Sequence, residues 1–166
     1  MTLSALLGEL LLLFHVFLFV IWLGSDLVVF SLSMSLRNRA LPIAVRLDRS
    51  HIAEQLDFYV LVSYVLAMPT GLALAYLRGW WPIASIPWLM AKLIVFGVVV
   101  ILAVVLVLGA SHSGMILKKI AAGEGDVEAL ENQLRSGIHR LAPWALAIHL
   151  SILLTAFVAL SPRGWW

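Results

Sequence analysis

The sequence predicts an all-α integral membrane protein, an antiparallel bundle of four helices. Three observations carry that expectation: the composition, four apolar stretches of spanning length, and the gathering of charge in short connections. Apolar residues make up 63% of 166 residues and charged residues 12%, with a mean hydropathy of +1.04. A soluble domain is about half apolar and about a quarter charged. Lipid offers no hydrogen bonds to exposed peptide groups, so each span must be helical, and a crossing takes about 20 residues.

The chain reads as one transmembrane domain, residues 1–166. The first apolar stretch runs from Leu3 to about Leu36, the second from Ile52 to Leu77, the third from Ile86 to Leu117 and the fourth from Leu141 to Leu160. Glu9 interrupts a poorly basic beginning and no small-residue cleavage site follows, so the first stretch is expected to be kept as a span. The first and third are longer than a crossing requires, which predicts tilt or projection past the membrane. Pro69, with Gly71 behind it, predicts a kink in the second.

The connection between spans one and two carries Arg37, Arg39, Arg46 and Arg49, with Asp48, Glu54 and Asp57 among them. Between spans three and four lie Lys118, Lys119, Arg135 and Arg140 around Glu124, Asp126, Glu128 and Glu131. These two connections share one side and hold eight of the eleven lysines and arginines. The richer side faces the cytoplasm, so both termini are expected outside a bacterial inner membrane. Trp80, Trp81, Trp88, Trp165 and Trp166 fall at the outer interface, where amphipathic rings prefer to sit. Val127, Leu130 and Leu134 have helical spacing, so residues 123–133 read as a short amphipathic helix on the cytoplasmic surface.

A formal charge of +2 with cations beside the spans is no nucleic-acid signature; the expected partners are lipid, other membrane subunits or further copies of the chain. Cysteine is absent, which removes disulfides, thiolate metal sites, iron–sulfur clusters and covalent c-type haem. Any cofactor must be held by imidazole, carboxylate, thioether, lysine or tyrosine.

Ionisable groups inside spans are costly and mark function by default. His15 and His149 each lie about 12 residues from the outer end of their spans, on the order of 18 Å deep. That matched depth suits two axial imidazoles of one haem b; the alternative is a pair of core histidines satisfied by neighbours. Trp22 and Asp26 share a helix face with His15, so Trp22 would line the cofactor and Asp26 would orient an imidazole, take up a proton or bond nearby serines. Lys92 would meet a haem propionate or an anionic substrate, or snorkel to the headgroups. His112, His51 and His139 lie near the other face and could form a second haem site or a copper site, or stand solvated. Met34, Met68, Met90 and Met115 are scattered as packing residues. Tyr59, Tyr64 and Ser63 are weak second donors to such a site.

His15 and Trp22 with Gly24 behind them, and Trp88-Leu-Met-Ala-Lys92-Leu93, carry a resemblance. The first resembles the opening helix, the second the third-helix motif, of the bacterial membrane-bound protoporphyrinogen IX oxidases (HemJ type). The Trp-Leu-Gly stretch is also similar to the membrane domain of copper-resistance D proteins. The resemblance covers about a quarter of the chain. It implies a small b-type haem membrane protein with His15 and Lys92 among its functional residues. The family's second histidine after the first helix and its Tyr-His beyond the lysine have no counterpart here, which implies a relative with a changed task. The expected function is therefore haem-b electron transfer or oxidoreduction, with one haem or two, alone or within a respiratory complex. Copper handling and a cofactor-free accessory subunit are the alternatives.

Overall fold

A computed structural model describes residues 3–160 of the protein, and side chains over residues 5–157. Four long helices follow one another: α1 (Leu3–Ser35), α2 (Ile43–Leu77), α3 (Pro87–Ala122) and α4 (Val127–Leu160), with a short 3-10 turn at Ile83–Ser85. No strand occurs among the described residues. All four are long and apolar enough to cross a membrane, and the protein is a multi-pass membrane helical bundle. The outward surface fits that solvent: Leu13, Phe17, Phe58, Val65, Ile101, Leu108 and Phe157 all stand exposed.

At 33 to 36 residues, the helices are about 50 Å long, against a hydrocarbon core of about 30 Å. The excess projects largely at the end carrying the two basic connections, here termed the loop end; the opposite end carries Trp80, Trp81 and Trp88. Two of the expected boundaries move for this reason. The second helix starts nine residues before the apolar stretch, at Ile43, directly after Pro42, whose fixed φ suits a helix start. Likewise, residues 127–133 are not a separate surface helix. They are the first turns of α4, which runs on unbroken past Gly137 and Pro143 into the fourth span.

The start of α4 is locally encoded. Gly123 adopts a left-handed conformation (φ 68°) and closes α3, its N–H and that of Glu124 bonding Ile120 and Lys119 carbonyls. Asp126 then caps α4, its side-chain oxygen accepting from the N–H groups of Glu128 and Ala129 at 2.9 and 3.1 Å. Leu130, Leu134 and Ile138 turn inward against Leu36, Ile116 and Leu117, so the stripe, apart from the exposed Val127, faces the bundle and not a membrane surface.

Helix α1 packs chiefly on α2, and α3 on α4, as two antiparallel hairpins with lighter contact between them. A side chain at Gly109 would drive into Leu141, so the small residue sets how closely α3 and α4 approach. Pro69 lies inside α2. The Thr70 hydroxyl, next in sequence, bonds the Leu66 and Ala67 carbonyls at 2.8 and 3.0 Å, satisfying backbone near the break in the ladder. Trp80, Trp81 and Trp88 gather at one end as expected, with Trp80 edge-on to Trp88 at 5.1 Å; Trp165, Trp166 and Arg163 lie outside the described residues.

Candidate functional site

The polar groups inside the spans fall into two sets at different heights. The first is near the tryptophan end. His15 of α1 meets Thr70 of α2, Nδ1 to Oγ1, at 2.8 Å. Because the threonine hydrogen is directed to backbone carbonyls, its oxygen accepts from the imidazole, which places the proton on Nδ1 and the lone pair on Nε2. Gly71 makes room for the ring: a Cβ there would stand 3.2 Å from His15 Cε1. From α3, Lys92 lies within electrostatic reach of His15, and its ammonium sits 4.7 Å from the Trp88 ring centroid. The two residues implicated by the resemblance, far apart in sequence, thus lie within electrostatic reach of one another at the tryptophan end.

The second set lies toward the loop end. His149 of α4 is buried at 5% exposure, and its Nδ1 donates to the Ala145 carbonyl at 2.7 Å. Its Nε2 lies 3.2 Å from Oδ2 of Asp26 on α1. The two atoms are out of hydrogen-bonding line, and neither has another partner among the described residues. Phe30 stands edge-on to the imidazole at 5.7 Å.

Between the two sets lies a dry aromatic layer. Trp22 packs edge-on to Tyr64 at 4.6 Å and Phe96 at 6.4 Å, while Tyr64 stacks on Phe96 at 4.7 Å. Val99, Ile148 and Ile152 complete it. Trp22, expected to line a cofactor, is here a core residue at 7% exposure. Tyr64 serves the same layer and donates to the Phe96 carbonyl at 3.3 Å.

The equal depth of His15 and His149 expected from residue counts is not what the fold contains. Asp26, at the height of His149, lies eleven residues along α1 from His15, about 16 Å along the axis. Counting from the ends presumed that the ends are level, but Leu160 of α4 stands at about the height of His15, not of Leu3. The two imidazoles therefore cannot bind opposite faces of one haem iron. His149 has a carboxylate where an iron ligand would present its nitrogen to metal. His15 keeps its Nε2 unclaimed by any hydrogen bond among the described residues, with a cation at its own level, which is a donor set that suits one axial ligand and a propionate partner.

The remaining histidines are at the loop end and apart. His51 pairs with Gln55 at 3.0 Å and His112 with Gln133 at 3.2 Å; both, and His139, are exposed. Among the described residues no three His, Asp or Glu side chains gather into a metal-binding group.

Sequence reasoning missed a buried ion pair. Arg46 of α2 (3% exposed) holds Glu131 of α4 (8% exposed) through both guanidinium nitrogens and donates Nε to the Leu36 carbonyl at 2.8 Å. Arg39 adds an outer layer, bonding both Glu128 oxygens at 2.9 and 3.1 Å and Asn132 at 2.9 Å. Sequence reasoning also did not single out as a site residue Asp57 of α2, which lies within electrostatic reach of Asp26. A carboxylate within five residues of the second apolar stretch's start was the available signal. No family model matches this chain, and neither a curated protein nor a solved structure matches it significantly.

Proposed function

We propose that the protein is a b-type haem protein of a bacterial inner membrane, both termini outside, moving electrons as a small oxidoreductase or within a respiratory complex. The observation that supports it is the outer set: an imidazole with Nδ1 anchored on Thr70 and Nε2 free, level with Lys92. Anchoring of the far ring nitrogen is what orients a ligating histidine. His15 would be the axial ligand and Lys92 the partner of a propionate or of an anionic substrate. The haem would supply a one-electron iron couple, tuned by ligand, hydrogen bonding and burial. Thr70 holds the ring's tautomer, Gly71 leaves it space, and the Trp22 layer keeps water from entering behind it. The distribution of lysine and arginine supports the orientation.

A reduced-minus-oxidised visible spectrum of the detergent-purified protein, with metal analysis of the same sample, tests this. A b-type α band with iron is expected, lost in His15→Ala and retained in His149→Ala. A flat spectrum without iron overturns the proposal, and the copper content then chooses between copper handling and a cofactor-free subunit.

A further inference from the structure

The set toward the loop end, Asp26 with His149, is not used by that reading, and its chemistry is specific. With Nδ1–H given to Ala145, neutral His149 offers only a lone pair at Nε2, and an ionised Asp26 offers only lone pairs at Oδ2. Two acceptors 3.2 Å apart in a dry seam repel one another, while one proton between them removes the conflict. Added to either atom, it gives imidazolium with carboxylate or imidazole with carboxylic acid, and both arrangements are neutral overall. Such neutrality is what an apolar surrounding favours.

The surroundings give this proton a direction. Toward the tryptophan end the Trp22–Tyr64–Phe96 layer closes the bundle. Toward the loop end α2 supplies Asp57. With His15 beside Thr70 on antiparallel helices, Asp26 eleven residues along α1 and Asp57 thirteen along α2 come to nearly one height. Glu54, one turn further, is exposed. Helix α3 packs Leu102, Ala103 and Leu106 around the neighbouring core. The titratable group that faces the pair is thus Asp57 from α2; α1 and α4 supply the pair itself, and α3 only apolar side chains.

We propose that Asp26 and His149 form a buried proton-binding site that holds one exchangeable proton and trades it with the loop side through Asp57 and Glu54. Uptake places the proton on Nε2 or Oδ2. Release passes it to the Asp57 carboxylate, then to Glu54 and water, and leaves Asp26 ionised beside neutral imidazole. The site stands independently of the haem, since none of its residues belongs to the outer set.

The full-length protein, labelled with nitrogen-15 histidine in lipid nanodiscs, permits the test by NMR over a pH series, with His149→Gln assigning the signal. The expected result is a His149 ring whose Nδ1 stays protonated at every pH while the shared proton moves at Nε2. Asp26→Asn abolishes that titration and Asp26→Glu, which keeps the acid, restores it. Asp57→Asn leaves the titration in place but slows hydrogen exchange at His149 by roughly tenfold or more, as loss of a proton-transfer group does. A His149 titration that is unchanged in Asp26→Asn, or that Asp26→Glu fails to restore, overturns the site. Exchange unaltered in Asp57→Asn overturns the route.

Discussion

At the loop end, Arg46 and Glu131 are buried and every charged atom has a partner; inside the span, His149 is buried and Asp26 half-buried, and their facing atoms, shut off from solvent, have none. Both pairs join an early helix to α4, and both remove charge from solvent. The first has a two-pronged guanidinium–carboxylate geometry with a backbone carbonyl taking the third donor, which is how a buried ion pair offsets its desolvation. The second lacks that completion. An arrangement that leaves its polar atoms open contributes little to holding helices together and can change its protonation. Completeness of hydrogen bonding, more than burial, separates a clasp from a working site.

Stability measurements sharpen this contrast. The largest effect is expected from Glu131→Ala, which strands the Arg46 guanidinium in the interior and should cost about 3–5 kcal/mol in reversible unfolding in mixed micelles. Gly109→Ala, which pushes a methyl group against the end of the Leu141 side chain, should cost about 1 kcal/mol by the same assay, without touching either pair. Asp26→Asn keeps the side chain's size and puts a neutral amide beside His149 Nε2, so it should change stability by less than about 1 kcal/mol. If Asp26→Asn proved as damaging as Glu131→Ala, the inner pair would be a second clasp and the contrast would collapse.

The residue spacing anticipated much of the fold. Four apolar stretches, the tryptophan end and the common side of the two basic connections were all legible, because spanning length and lipid solvation are properties of local sequence. The helix starts at Ile43 and Val127 were not, since hydropathy detects where a helix meets lipid and is blind to its projection into water. For the site, His15 and Lys92 were picked out by residue type together with the resemblance, and Asp26 and His149 by residue type and position in their spans. Their grouping was misjudged: His15 was matched with His149, whereas the fold joins His15 to Thr70 and Lys92, and His149 to Asp26.

The amino-acid sequence by itself therefore determined that this chain crosses a membrane as helices and which ionisable residues it carries there. That follows from transfer energies, which act residue by residue. Only the tertiary structure decided which of those residues share a height, which pairs are completed and which are left open. Relative height depends on how far each helix slides against its neighbour, and that is set by contacts such as Gly71 against His15 and Leu134 against Leu117, made between residues that no local pattern connects.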